Sequence, residues 1–141
     1  MPPKIDEAEL ARIREQLPWL ETLGIEIAEM SEGRAVLTLP ASKDVLRPGG
    51  TVSGPAMMTL ADSAMYFAIL ASIGPVEMAL TTSLSINFLR PPPPGTIRAD
   101  CRILKLGKRL AYGEVFLYAE ASDPEHPVAH TTLTYSIPPN R

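Results

Sequence analysis

PAMMTLADSAMYFAILASIG, from Pro55 to Gly74, is an almost uninterrupted apolar run with one charged residue, Asp62. Its alanines, methionines and leucines are good helix formers. Pro55 stands at a first helical position, where a missing N–H costs no hydrogen bond. Ser53, just before it, has a side-chain oxygen suited to capping free helix amides. The run therefore predicts a helix over about residues 54–73 that is apolar on every side.

A helix that is apolar all round is buried either in a protein core or in a membrane, and this run is about as long as a membrane span. Asp62 near its middle would cost roughly 2.5–3.5 kcal/mol on insertion scales. No cluster of lysines or arginines flanks the run, and the surrounding sequence has the pattern of amphipathic strands. We therefore expect a core helix, with Asp62 as a buried acid and no membrane partner.

The bulk properties fit a single domain over residues 1–141, large enough to bury a core. A net charge of −3 argues against nucleic-acid binding, which needs a basic face. The one cysteine excludes an internal disulfide and a cysteine-based metal cluster, and the two histidines lack metal-ligand spacing, so no metal is expected. The first ten residues lack the apolar run of a signal peptide, which favours a cytoplasmic location.

The remainder of the chain predicts one short helix and six strands. Residues 1–20 are predicted to form an N-terminal helical segment that contains an amphipathic helix over 6–17. Pro18 ends this helix, and Trp19 and Leu20 pack it against the rest of the protein. Alternating apolar residues predict strands over about 23–27, 34–40, 78–90, 96–105, 111–121 and 128–137, with turns that include 123–127. The order α–ββ–α–ββββ indicates an α+β fold: an antiparallel sheet wrapped around the apolar helix. Dimerisation would cover the edges of such a sheet.

Two motifs, GTVSGPAMMTLADSA and LSINFLRPPPPG, resemble those of hotdog-fold thioesterases of the phenylacetic-acid-degradation (PaaI-like) family. The first is similar to the family's pattern of Asn, Gly, His-Gly-Gly and Leu-Ala-Asp, and the second to a strand that ends in Phe-Leu-Arg-Pro. The resemblance covers nearly the whole chain. It implies a homodimer or dimer of dimers that hydrolyses acyl-CoA thioesters at the subunit interface. Coenzyme A enters as part of the substrate, and no other cofactor is implied.

The same resemblance implies roles for individual residues. Asp62 matches the catalytic carboxylate, a general base or nucleophile, and the backbone N–H of Gly54 matches the oxyanion donor. Thr81 or Ser83, on the following strand, would help to hold the attacking water.

The sequence departs from the family pattern at three positions around the helix entry. Arg47 replaces the usual Asn, Ser53 the His, and Pro55 the second Gly. These departures favour an alternative, a non-catalytic acyl-CoA or ligand-binding protein on the same fold. A hotdog dehydratase would need a histidine base beside its acid, and the sequence has none near Asp62.

Considered without the family resemblance, the residues support a site shared by two subunits. A carboxylate can attack or activate water, and free N–H groups at a helix N-terminus stabilise an oxyanion. Asp62 and Gly54 are eight residues apart, which is about 12 Å along a helix. One carbonyl cannot contact both in one subunit, whereas antiparallel helices across a dimer interface would bring one chain's Asp62 beside the other's Gly54.

For each of these groups of residues a purely structural alternative remains open. Asp62 could be a core acid that bonds Thr59 or Tyr66 and does no chemistry. The candidate substrate-binding residues could bind coenzyme A phosphates or a substrate carboxylate, or could face water and cap the helix; they are Arg47, Ser53, Pro55, Arg90, Lys108 and Arg109.

Overall fold

The chain folds as one sheet with a long helix packed along one of its faces. The computed structural model describes residues 1–120 and 125–139. Over these ranges the helices are α1 (Glu7–Glu15), α2 (Pro18–Leu23) and α3 (Gly54–Ile73), and the strands are β1 (Glu26–Ser31), β2 (Arg34–Leu39), β3 (Leu80–Phe88), β4 (Ile97–Leu106), β5 (Leu110–Ala119) and β6 (Ala129–Ser136). The last residue predicted for the strand over 111–121 and the start of the turn over 123–127 lie outside the described residues.

The predicted apolar helix is confirmed as α3. The Ser53 side chain caps it by accepting a hydrogen bond from the Ala56 amide at 3.2 Å, and a proline lies in its first turn. The helix is long and apolar enough to cross a membrane, but 78% of its most apolar 18-residue window is buried inside the protein. It packs against every strand, most extensively against β2 and β4. This burial is that of a core helix.

All neighbouring strands of the sheet are antiparallel, in the order β1-β2-β4-β5-β6-β3. The alternation predicted for the last two strands is confirmed, since Val115, Leu117, Ala129 and Leu133 are all buried. The predicted α+β fold is therefore correct, and β3 forms an edge of the sheet.

The N-terminal segment differs from the prediction. A capping box between Asp6 and Glu9 begins α1 as its sequence indicates, but Pro18 begins a second helix rather than only ending the first. A proline suits the first turn of a helix as well as the residue after one. Leu23 therefore belongs to α2, and β1 begins only at Glu26.

Candidate active site

Asp62 lies midway along α3 and is half-buried rather than fully buried as predicted. Pro55, Met58, Thr59 and Asp62 follow the i, i+3, i+4, i+7 spacing of one helix face. None of the four is fully buried. This uncovered face of the helix is exposed at Pro55 and Met58 and partly buried at Thr59 and Asp62, and the partial exposure of Asp62 is why a carboxylate is tolerated there.

Two hydroxyl groups hold one oxygen of the Asp62 carboxylate. Thr81 Oγ1 and the Tyr135 hydroxyl each donate to Asp62 Oδ1 at 2.7 Å. Asp62 Oδ2 accepts no hydrogen bond from the residues that the structure describes. The carboxylate is thus fixed through one oxygen, and the other is left available to a substrate or water.

Thr59 and Tyr66, the partners considered for a purely structural Asp62, bond elsewhere. The Thr59 hydroxyl donates to the Pro55 carbonyl at 3.0 Å, and the Tyr66 hydroxyl donates to the Glu77 carbonyl at 3.2 Å. The idea that either of them satisfies the acid is wrong.

Tyr135 is the main site residue that sequence reasoning missed. Burial, and next the negative charge of Asp62, raise the pKa of the Tyr135 hydroxyl above its usual value, so it stays protonated and remains a donor. The strand pattern placed Tyr135 on the inward face of β6. A buried tyrosine hydroxyl usually forms a hydrogen bond, and this rule could have identified Tyr135 as a candidate from the sequence.

Strand register separates Thr81 from Ser83. Thr81 lies opposite Tyr135 on β6, on the face that meets α3, whereas a bulge after Thr81 puts Ser83 opposite Thr134. Tyr135 is buried and Thr134 lies on the alternate face. Of the two residues suggested to assist, the fold of a single chain brings Thr81 to Asp62 and directs Ser83 away from it.

A cleft of about 600 Å³ lies at the N-terminus of α3, and Gly54 is in its wall. The first amides of a helix have no intrahelical acceptor, so the Gly54 N–H is available to a ligand. The Phe88 ring covers the glycine so closely that an added Cβ would lie 3.2 Å from it. Exposed Pro55 is also in this wall. Ser53 uses its side chain as the helix cap.

Asp62 lines a different, smaller cavity of about 230 Å³. Its walls are mainly apolar, and no residue lines both this cavity and the Gly54 cleft. In one chain the carboxylate and the helix N-terminus therefore face separate spaces.

The basic residues divide between the two ends of the molecule. Arg47 and Arg90 both line the Gly54 cleft. Lys108 and Arg109 lie in the β4–β5 turn, and the Arg109 carbonyl accepts from the Ile137 amide just beyond β6. Since Arg90 is near the opposite end of β6, it lies apart from Lys108 and Arg109 within a single chain.

Comparison with known proteins places this arrangement in a family. Residues 49–124 match the family described as the Thioesterase superfamily. The 1,4-dihydroxy-2-naphthoyl-CoA hydrolase of Listeria monocytogenes serotype 1/2a is 30% identical over 95 residues, which are 67% of this chain and 77% of that protein.

Solved structures agree with that assignment. A candidate thioesterase of a Silicibacter species is 39% identical, with a TM-score of 0.85 and coverage of 99% of this chain and 96% of the other. A mutant of the phenylacetic acid degradation protein PaaI of Thermus thermophilus is 29% identical, with a TM-score of 0.74 and coverage of 86% and 99%.

The family match spans more than half of the chain, and a six-stranded antiparallel sheet packed on one long apolar helix is the architecture of its solved relatives. The resemblance seen in the two sequence motifs is thereby confirmed. The chain belongs to the thioesterase superfamily, as a hotdog-fold thioester hydrolase.

Proposed function

We propose that this protein hydrolyses acyl-CoA thioesters at a site shared by two subunits. The observation that carries the proposal is the Asp62 carboxylate, which two hydroxyls hold through Oδ1 while Oδ2 is left without a partner among the described residues. A purely structural acid would be expected to satisfy both oxygens. An acid held by one oxygen beside an apolar cavity is suited to attack a carbonyl or to activate water.

In the general-base form of the reaction, Asp62 Oδ2 takes a proton from a water molecule as the water oxygen adds to the thioester carbonyl. The tetrahedral oxyanion then collapses, the C–S bond breaks, and the departing thiolate receives the proton from Asp62. In the nucleophilic form, Oδ2 itself adds to the carbonyl, the C–S bond breaks, and coenzyme A leaves as the thiolate. Water then hydrolyses the resulting anhydride to the free acid and the Asp62 carboxylate, and a proton released from this water protonates the thiolate. Thr81 and Tyr135 fix the carboxylate in both forms. Water is the second reactant in both forms, and neither form uses a cofactor.

The oxyanion donor in this proposal is the Gly54 N–H of the other subunit. Asp62 and Gly54 of one chain are about 12 Å apart along α3 and face separate cavities. Antiparallel packing of two copies of α3 would bring each Asp62 beside the partner's helix N-terminus, where free amides and the helix dipole stabilise negative charge.

Exposed apolar surface on β3 and α3 supports such a dimer. β3 is an edge strand whose Leu80 and Phe88 are 61% and 49% exposed, and Met58 on the uncovered face of α3 is 38% exposed. Pairing of two β3 edges about a two-fold axis would extend the sheet and lay the helices side by side. A dimer of dimers and a cytoplasmic location remain predictions.

Arg47 and Arg90 at the Gly54 cleft provide cations for the coenzyme A phosphates. Lys108 and Arg109 lie near the end of β6 that contacts Asp62. Because the two-fold arrangement places the Asp62 of one subunit beside the Gly54 of the other, it would also bring Lys108 and Arg109 toward the other subunit's Gly54 cleft. The Listeria relative is named for hydrolysis of a coenzyme A thioester.

Release of free coenzyme A from a panel of acyl-CoAs tests the proposal. Asp62→Asn preserves the size of the side chain and its contact with Thr81, but removes the base, so turnover should fall by at least about 100-fold. The Tyr118→Phe variant is a matched control on the outer face of the sheet. Undiminished hydrolysis by Asp62→Asn would overturn the mechanism. Tight binding of acyl-CoA without turnover by the wild type would instead favour the non-catalytic binding protein.

A further inference from the structure

The cavity beside Asp62 is closed on one side by the N-terminal segment. Leu17 and Trp19, where α2 begins, line it together with Phe67 of α3 and with Ala79 and Leu80, where β3 begins. The Tyr66 hydroxyl also borders the cavity, but it is occupied by its bond to the Glu77 carbonyl. The space next to the reactive carboxylate is therefore bounded mainly by apolar surface.

We infer that this cavity receives the acyl group, and that Trp19 is the specificity-determining residue that limits the enzyme to compact acyl groups. The inference rests on the proposed function, because it takes Asp62 to be the group that acts on the thioester. The thioester carbonyl must lie within contact of Asp62 Oδ2, so an apolar acyl group enters the apolar space that Asp62 borders.

The size of the cavity sets the class of acyl group. A cavity of about 150 Å³ with apolar walls takes up benzene, and this one, at about 230 Å³, is roughly half as large again. It can hold one aromatic ring with a short spacer, or an aliphatic chain of similar bulk. A long fatty acyl chain exceeds this volume and would have to extend beyond the cavity.

A hydrogen bond holds Trp19 in place as one wall of the cavity. Its indole Nε1–H donates to Ser63 Oγ at 3.1 Å, and Ser63 follows Asp62 directly on α3. Ser63 is buried and donates in turn to the Thr59 carbonyl at 2.7 Å, which leaves its oxygen free to accept from the indole. An ion pair between Arg12 and Glu77 at 3.4 Å also joins α1 to the segment before β3.

On the side of α2, the Trp19 side chain lies between the cavity and solvent, since it lines the cavity and is also 41% exposed. Truncation of this side chain would open the cavity to the outside, where a longer acyl chain could continue. Trp19, Glu77, Leu80 and Thr81 are the wall residues that are also exposed, and Trp19 has the largest side chain of the four.

The first test measures kcat/KM for acetyl-, butanoyl-, hexanoyl-, octanoyl-, dodecanoyl- and benzoyl-CoA. The wild type should turn over compact substrates and discriminate against dodecanoyl-CoA. In Trp19→Ala the ratio of dodecanoyl to hexanoyl kcat/KM should rise at least about tenfold, because each methylene that a pocket excludes costs about that factor or more. Trp19→Phe retains an aromatic wall and should stay within about threefold of the wild-type ratio. An unchanged ratio in Trp19→Ala, with hydrolysis intact, would overturn the inference.

The second test uses the wild-type protein alone and needs no turnover. Trp19 is the single tryptophan of the chain, so its fluorescence reports directly on the cavity. Hexyl-CoA, a thioether that cannot be hydrolysed, should shift the emission to shorter wavelength as it displaces water from the ring, whereas free coenzyme A should not. Dodecyl-CoA should bind at least about tenfold more weakly than hexyl-CoA.

These two readouts separate the two proposals. A chain-length-limited shift in emission without hydrolysis of any substrate would leave the acyl cavity standing and overturn the proposed reaction. Hydrolysis without any change in Trp19 emission on binding hexyl-CoA would keep the reaction and overturn the assignment of the cavity.

Discussion

The two oxygens of the Asp62 carboxylate have different environments. Oδ1 accepts from two hydroxyls at 2.7 Å, whereas Oδ2 has no partner among the described residues. Hydrogen bonds to a charged group are each worth about 1.5–3 kcal/mol. Such bonds fix the direction in which the free oxygen points, and catalysis depends strongly on that direction.

Removal of one of these bonds should slow the reaction without abolishing it. In Tyr135→Phe, Asp62 keeps its bond from Thr81 but loses its most buried donor, so kcat should fall about tenfold while KM changes little. Steady-state kinetics with Tyr118→Phe as the control, together with a thermal melt, would measure this. A wild-type kcat in Tyr135→Phe would show that the hydroxyl does not position the carboxylate.

The buried thiol of Cys101 yields a prediction about pH. Burial raises the pKa of Cys101 from 9.0 to about 12, so the folded protein should not react with a thiol reagent at pH 8, whereas the denatured chain should react with one equivalent. Above pH 9 the unfolded chain loses a proton that the folded chain retains. The free energy of unfolding should therefore fall as the pH rises from 9 toward 12, as denaturant titrations would show. Ready labelling of native protein at pH 8 would contradict the burial.

Local chemistry explains why some site residues could be predicted and others could not. Asp62 was evident because it is the single charge in an apolar run, and Thr81 because it follows that helix on the next strand. Tyr135 is 73 residues from Asp62 along the chain, and only the pairing of β6 with β3 brings the two together. The bulge after Thr81 decides which side chain of β3 faces the helix, and no pattern in the sequence marks it.

At the scale of elements, α3 carries both groups that the proposed mechanism uses. Its middle carries the acid and its N-terminus carries free amides, with Ser53 as the cap and a proline in the first turn. These signals are local, and the sequence predicted the helix almost residue for residue. The start of α2 was not predicted, because Pro18 is equally compatible with the end of one helix and the beginning of the next.

The Gly54 amide can be removed without breaking the helix. Gly54→Pro deletes the N–H at a position where proline is accepted, and Ser53 before it already has the extended backbone that proline requires. Gly54→Ala retains the N–H and imposes the same approach to the Phe88 ring. The loss of kcat in Gly54→Pro should exceed that in Gly54→Ala by about 100-fold, as is usual for an oxyanion donor. Equal losses in the two variants would exclude the amide and indicate a steric effect alone.

For the whole molecule, the separation of Asp62 and Gly54 into different cavities is the central fact. The sheet order follows from strand pairing, and the sequence indicated both the antiparallel sheet and an edge in need of cover. In the proposed dimer, the groups that share a site would be set by how two copies meet, and the surfaces available for this are the exposed β3 edge and the uncovered face of α3. Under this proposal, a complete site needs both subunits.

Subunit mixing tests the shared site most directly. Asp62→Asn and Gly54→Pro homodimers should each be nearly inactive. In a hybrid dimer, one site combines the intact Asp62 of the second variant with the intact Gly54 of the first, while the other site contains both defects. After equimolar exchange of subunits, activity should therefore recover to about a quarter of the wild-type value. No recovery, with hybrid dimers demonstrated by mass spectrometry, would contradict a site built from both subunits.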